Sequence, residues 1–270
     1  MKQIGLTPLL LSLFLISSCN YANKKNDAYN VIRLIGTEFK YQMPDTIPAG
    51  YNLIRLINTG KVWHEAAIFK FINDTFSIQQ YIDSVKKGID FPSFAVDIGG
   101  PGMTVANDSN EVILNLTPGK YGIICTIDNH LMAGMNKEFY VTNKNSIYNE
   151  LPKEDNILTL TDGAFVFLKP LSAGEHLIKV VNMGQQNHEV DFIKLNTRKT
   201  KDDYIKWFHN RSENPSGVPV GGTLDIFPGG EVWLPIRLEK GNYYLSCMVP
   251  DVVTGKAHLD MDVNKEFNIK

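Results

Sequence analysis

The chain has 270 residues, 43% of them hydrophobic, which suits two packed globular domains and is too long for one small β-sandwich. Its 27 basic and 29 acidic residues give a formal net charge of −2 at pH 7 without a basic stripe, so the composition argues against a nucleic-acid partner. Beyond the N-terminus the sequence has no long apolar run and no heptad pattern, which argues against transmembrane helices and coiled coils.

Residues 1–19 are predicted to be a lipoprotein signal peptide. Lys2 supplies a positive charge, and the apolar stretch 6–16 is too short to span a bilayer. Small residues then precede Cys19, as in a lipobox, so we expect Cys19 to be lipidated; a plain signal peptide with an incidental Cys19 is the alternative. Residues 20–28 are polar and rich in Asn and Lys, so we expect a flexible tether there. The sequence therefore predicts an exported protein, lipid-anchored to a bacterial membrane on its periplasmic or cell-surface side.

A first domain is predicted over residues 29–142. Short, β-branched and often alternating segments such as 51–57 and 111–116 indicate strands, and Gly, Pro and Asn between them indicate turns. Ser77 and Gln80 form a capping box before one short helix, which Gly88 closes. Many short strands with turn signals are typical of an all-β sandwich.

A linker, 143–156, separates this domain from a second one over 157–270, and the two are copies of each other. Corresponding segments occur in the same order in both halves: 49–60 with 173–184, 58–65 with 182–189, 119–125 with 241–247, and 130–139 with 258–267. The second copy has its own capping box at Thr200 and Asp203. The fold class is therefore all-β, with two tandem sandwich domains that each hold one short helix.

The second half of the first domain contains the pattern Cys125-x4-His130-x4-Met135, and His64 follows a predicted turn at Asn58 and Gly60. A thiolate and two imidazoles form a trigonal set that suits copper in both redox states, and a long thioether bond tunes the potential. A single strand Cys is usually a small buried hydrophobe, but these four residue types in this order point to one site.

This arrangement resembles that of the blue copper proteins, the cupredoxin family. The resemblance implies Greek-key β-sandwiches and a type 1 copper ion bound by His64, Cys125, His130 and Met135 in the first domain. Zinc is the competing metal, because Cys and His also suit it, but the thioether of Met135 favours copper.

The second domain departs from the family pattern. Its corresponding residues are His188, Cys247 and His258, but ten residues separate the Cys from the His, and Val263 stands where the first copy has Met135. Three alternatives stay open: Met261 is the axial ligand, the site has no axial ligand, or the site is degenerate. We expect copper to load the first domain before the second.

Two further expectations concern residues near these sites. Cys125 and Cys247 occupy equivalent positions in separate domains, so we expect free thiols and no disulfide between them. Glu65 and Glu189 follow the first His of each copy, and we expect them to face solvent, with a supporting role at the site as the alternative.

The histidine count favours a carrier over an enzyme. Of six His, four occupy the repeated positions, only His176 and His209 remain, and no His-x-His pair occurs, so the His cluster of a multicopper oxidase is excluded. We therefore predict a non-enzymatic, membrane-anchored electron-transfer protein with a redox partner protein in the periplasm or at the membrane surface. The alternative is a non-enzymatic binding module or a copper-sequestering lipoprotein with one or both sites degenerate.

Overall fold

A computed structural model of the protein describes residues 29–145, 150–211, 214–261, 263 and 265–270. The predicted signal peptide, the lipidation residue Cys19 and the tether 20–28 lie outside these residues. The described chain folds into two β-sandwiches with one short α-helix each, which confirms the predicted fold class. Within it, no helix is both long enough and apolar enough to cross a membrane.

The described residues of the first domain form eight strands and one helix. Their bounds are β1 Asn30–Thr37, β2 Lys40–Gln42, β3 Thr46–Asn58, β4 Ala67–Phe71, α1 Ile78–Val85, β5 Ala95–Gly99, β6 Ser109–Leu116, β7 Gly119–Ile124 and β8 Asn136–Asn145. One sheet pairs β1 and β6 with β3, and the other has the order β8-β7-β4-β5. The start of β3 also pairs with β8, so this strand belongs to both sheets.

The second domain repeats this order in the residues that the structure describes. Its elements are β9 Asn156–Leu160, β10 Phe165–Phe167, β11 Gly174–Asn182, β12 His188–Leu195, α2 Lys201–Asn210, β13 Gly217–Ile226, β14 Glu231–Leu238, β15 Gly241–Ser246 and β16 Lys265–Ile269. Strand β8 extends three residues into the segment 143–156 that the sequence assigns to the linker, and β9 begins at its last residue, because the strands are paired at Asn145 and Asn156.

The core of each sandwich comes from the alternation of apolar side chains along the strands. In the first domain the side chains of Leu56, Val112 and Ile123, which come from both sheets, are fully buried. Burying a side chain of this size contributes about 1.5–3 kcal/mol relative to leaving it in water. This packing fixes the strand ends from which the candidate ligands project.

The two sandwiches are joined edge to edge. Strand β6 pairs with β14 at Ile113 and Trp233, and β5 pairs with β13 at Ile98 and Ile226. Trp233 is completely buried and stacks edge-on against Tyr51, with ring centroids 5.5 Å apart. The paired strands are equivalent in the repeat, so each domain covers an open sheet edge of the other.

Both helices begin as the sequence predicts. The side chains of Ser77 and Thr200 each accept a hydrogen bond from the backbone three residues later, in complete capping boxes. Gly88, with φ of 78°, turns the chain after α1. Helix α2 carries Trp207 against Trp63 of the first domain, with ring centroids 5.6 Å apart, so this helix also contributes to the domain contact.

Candidate metal centres

The first site brings three predicted ligands together at one end of the first sandwich. His64 lies after β3, Cys125 directly after β7, and His130 in the loop before β8. Cys125 Sγ lies 3.3 Å from His130 Nδ1. One donor atom from each of the three residues lies within 4.8 Å of the others, and all three side chains are buried.

A buried asparagine positions His64. The Asn58 side chain donates to the carbonyl oxygens of Val62, at 2.8 Å, and Thr104, at 2.9 Å, and accepts from the backbone N–H of Gly60 at 2.9 Å. His64 and Thr104 then exchange backbone hydrogen bonds of 3.1 and 2.7 Å. The side chain of Asn58 therefore stabilises the turn that the sequence predicts before His64, and this turn places the imidazole next to the loop that contains Cys125.

Met135 joins this group. Its side chain is 0% exposed, and its carbonyl oxygen accepts from the N–H of Cys125 at 3.1 Å, which closes the ligand loop. A Cβ built on Gly36 would lie 3.5 Å from Met135 Cε and 3.8 Å from His64 Cδ2. The thioether end and the imidazole therefore both lie next to Gly36, which places Met135 near the triad.

The second site has the same triad. Cys247 Sγ lies 3.3 Å from His258 Nδ1, the donor atoms of His188, Cys247 and His258 lie within 4.8 Å of one another, and all three residues are buried. Asn182 holds the turn before His188 as Asn58 holds the turn before His64. Its side chain donates to the carbonyl oxygens of Gln186 at 2.8 Å and Ile226 at 2.7 Å. The three main donors of this site are therefore placed as in the first site, which gives no sign that the second site is degenerate.

The axial position differs between the copies. Val263, which matches Met135 in the repeat, is buried, whereas Met261 is half-buried and follows a short 3-10 turn over His258–Asp260. Met261 as a ligand stays a prediction. Of the two aspartates that flank Met261, Asp260 contacts His209 of α2, with oxygen and nitrogen 2.7 Å apart, and Asp262 lies outside the described residues.

The expectation that Glu65 and Glu189 face solvent is wrong. They are 4% and 6% exposed, and each accepts a hydrogen bond from the backbone N–H that follows the ligand Cys: Thr126 N to Glu65 at 3.2 Å and Met248 N to Glu189 at 2.6 Å. Each Glu thus ties the His-bearing segment to the Cys-bearing segment. The sequence shows the repeated His-Glu pair, but only the fold reveals this contact.

A residue that the sequence analysis missed lies beside Cys125. The Tyr41 hydroxyl donates to the backbone carbonyl of Glu65 and lies close to the Cys125 sulfur. Tyr41 comes from β2, far from the ligand loop in sequence, and the second copy has Phe165 at the matching position. No local pattern marks such a residue, because the contact depends on how β2 packs.

The site electrostatics suit a metal that binds neutral imidazoles and a thiolate. Burial lowers the pKa of His64, His130 and His188. Burial, helped by the charge of Glu65, raises the pKa of Cys125 to about 12. Without metal the rings are therefore neutral at pH 7 and the thiol is protonated, so metal binding must release the thiol proton.

Unsatisfied ring nitrogens support a metal in both sites. Neither ring nitrogen of His64 has a hydrogen-bond partner in the described part of the chain, and Nδ1 of His188 has none either, although all three atoms are buried. An unsatisfied buried polar group costs about 1–3 kcal/mol. A bound cation would satisfy the nitrogen lone pairs, and the thiolate, imidazole and thioether donors of the first site fit copper.

The remaining candidates are placed elsewhere. His176 contacts Asp155 at 3.0 Å, and His209 contacts Asp260, so each pairs with an aspartate and belongs to neither triad. Cys125 and Cys247 are both buried, and each lies in its own triad, so no disulfide joins them, as predicted. Among the described residues, the two triads are the only groups of three or more His, Cys, Asp or Glu side chains that could hold a metal.

Comparison with known proteins adds a family match. Residues 20–150 match the family model of the sulfocyanin (SoxE) domain. Among solved structures, auracyanin from Roseiflexus castenholzii is 21% identical, with a TM-score of 0.33 over 43% of this chain and 98% of its own. Blue copper oxidase from Nitrosomonas europaea is 13% identical, with a TM-score of 0.25 over 90% of this chain and 85% of its own. No protein of curated function matches.

Proposed function

We propose that this chain, whose first half is a domain of the cupredoxin family, is a non-enzymatic electron-transfer protein with a type 1 copper ion held by His64, Cys125, His130 and Met135. The observation that carries the proposal is the buried His–Cys–His triad with Met135 beside it. The equivalent triad of the second domain, His188, Cys247 and His258, supports a second copper ion in the same protein.

The protein's own residues support fast electron exchange at such a site. Copper, when bound, would supply a one-electron couple between its two oxidation states. Asn58 and Glu65 hold the His64 and Cys125 segments in fixed positions, and both residues are buried. Because the ligands are held before metal binds, little rearrangement would accompany a change in the oxidation state.

Absorption spectroscopy of the copper-loaded full chain tests this proposal. A thiolate bonded to Cu(II) gives an intense visible absorption band that colours the protein blue or green. We expect ascorbate to bleach this band and ferricyanide to restore it while copper stays bound. The variants Cys125→Ser and Cys247→Ser assign the bands to the two sites. A protein that binds copper without a reversible band would instead support copper sequestration, and a colourless zinc-selective protein would overturn the proposal.

We further propose that the protein is exported and lipid-anchored to a bacterial membrane through Cys19, where it exchanges electrons with a redox partner protein in the periplasm or at the membrane surface. Cys19 directly follows an apolar segment and small residues, and this supports the proposal. In cell fractionation we expect the wild type with the membranes and the Cys19→Ser protein outside the membrane fraction or retained as an uncleaved precursor. Wild-type protein in the soluble fraction would contradict the anchor.

A further inference from the structure

A carboxylate lies behind the first ligand of the second site. Asp162, in the turn between β9 and β10, accepts a hydrogen bond from Nε2 of His188, with Oδ1 2.9 Å from the nitrogen. His188 is fully buried, and its other ring nitrogen, Nδ1, has no hydrogen-bond partner in the described chain. Since Nε2 carries the proton that Asp162 accepts, Nδ1 is left with its lone pair available, inside the triad.

The surroundings of Asp162 are built to hold it there. The backbone N–H of Gln185 donates to both carboxylate oxygens at 3.0 Å. Gly184 lies beside the pair, and a Cβ at this position would come within 2.9 Å of His188 Nε2 and closer still to the carboxylate. Partial burial opposes ionisation of Asp162, but the hydrogen bonds from His188 and Gln185 outweigh it and lower its pKa.

The first site lacks this pair. Glu38 occupies the equivalent turn and accepts from the backbone N–H of Lys61, as Asp162 does from Gln185. Nonetheless, neither ring nitrogen of His64 has a hydrogen-bond partner among the described residues. The two copies therefore share the turn and the acidic residue, but only the second joins that residue to its ligand.

We propose that Asp162 is a positioning residue of the second metal site, which fixes the His188 tautomer and ring orientation and makes Nδ1 a stronger donor towards Cu(II). A carboxylate behind a ligating imidazole raises the basicity of the ligand, and losing it costs about 10- to 100-fold in metal affinity. The negative charge favours Cu(II) over Cu(I), so Asp162 lowers the reduction potential of this site. The copper part of this inference rests on the proposed function.

Two substitutions separate the orientation from the charge. Asp162→Asn keeps an oxygen that can accept from Nε2 but removes the charge, whereas Asp162→Ala removes both. In the Cys125→Ser background, where only the second site keeps its thiolate, we expect Asp162→Ala to weaken Cu(II) binding about 10- to 100-fold. Asp162→Asn should keep the tautomer and raise the potential. Glu38→Gln in the Cys247→Ser background is the matched control, with a smaller expected change.

Nitrogen-15 NMR of the metal-free full chain gives a readout independent of copper. We expect His188 to hold its proton on Nε2 in the wild type and in Asp162→Asn, and to lose this preference in Asp162→Ala. An unchanged tautomer and an unchanged Cu(II) affinity in Asp162→Ala would overturn the inference. If the Cys125→Ser protein takes up no copper, the proposed second copper site fails, while the tautomer measurement still decides the role of Asp162.

Discussion

Met135 is the residue whose substitution changes the first site with the least damage to its fold. Met135→Leu keeps a buried apolar side chain of similar volume, which costs under about 1.5 kcal/mol. Copper should stay bound, with affinity reduced by less than about tenfold, because the axial thioether bond is long and weak. Losing this donor should raise the reduction potential, measured by voltammetry in the Cys247→Ser background. An unchanged potential would show that Met135 is not axial.

Tyr41 supports the same site from beside Cys125. Its hydroxyl donates to the carbonyl of Glu65, the residue after His64, so Tyr41→Phe removes this hydrogen bond. We expect the free energy of unfolding of the metal-free chain, measured in urea, to fall by about 1–3 kcal/mol, because the buried carbonyl loses its hydrogen bond. An unchanged free energy of unfolding in Tyr41→Phe would contradict this role.

At the scale of residues, the sequence identifies the candidate ligands better than the residues that position them. His64, Cys125, His130 and Met135 could be identified because three of them share one loop and the fourth repeats in the second copy. Tyr41 and Asp162 could not, because each lies in a separate strand pair or turn and meets its ligand only through sheet pairing.

At the scale of elements, the longer ligand loop of the second domain is anchored at Asp251. This side chain accepts from Gln186 Nε2 at 3.0 Å and from the backbone N–H and hydroxyl of Thr254, both at 2.7 Å. The hydrogen bond from Gln186 first, and those from Thr254 next, lower the pKa of Asp251 well below its usual range. The extra residues of the loop are thus folded back onto the segment that carries His188, so the longer loop does not leave His258 loose.

Asp251→Ala should therefore weaken the second site without touching a ligand. We expect copper to dissociate faster from the second domain, with affinity reduced about tenfold, because the loop loses the hydrogen bonds of Asp251 to Gln186 and Thr254. Stopped-flow transfer of copper to a chelator measures the rate in the Cys125→Ser background. The same substitution in the Cys247→Ser background is the control, and equal acceleration at both sites would point to general destabilisation instead.

For the whole molecule, the contact between the domains is the feature that the sequence does not disclose. The duplication predicts two sandwiches, but strand pairing such as that of Ile113 with Trp233 leaves no local signal, because an edge strand has the same alternation whether or not it is covered. Buried carboxyl groups also collect here: Asp97 of β5 lies near Asp225 of β13 and accepts from the side chain of Asn187 at 3.0 Å.

Asp97 should make the stability of the metal-free protein depend on pH. Burial raises the pKa of Asp97 from its ordinary 3.8 to about 7. The folded protein therefore keeps a proton that the unfolded chain releases, so the contribution of this group to stability is full below about pH 4 and is lost as the pH rises through 7. While it titrates, one such group changes the free energy of unfolding by up to about 1.4 kcal/mol per pH unit.

Asp97→Asn removes this titration while keeping an oxygen that can accept from Asn187. In urea unfolding of the metal-free full chain, we expect the variant to match the wild type at pH 4 and to exceed it at pH 8. Asp83→Asn, at an exposed position of α1, is the control and should change the free energy of unfolding by the same amount at both pH values. Burial also raises the pKa of Asp191 and Asp225, so part of the dependence will persist in Asp97→Asn. A variant no more stable than the wild type at pH 8 would show that Asp97 is ionised without cost in the folded protein.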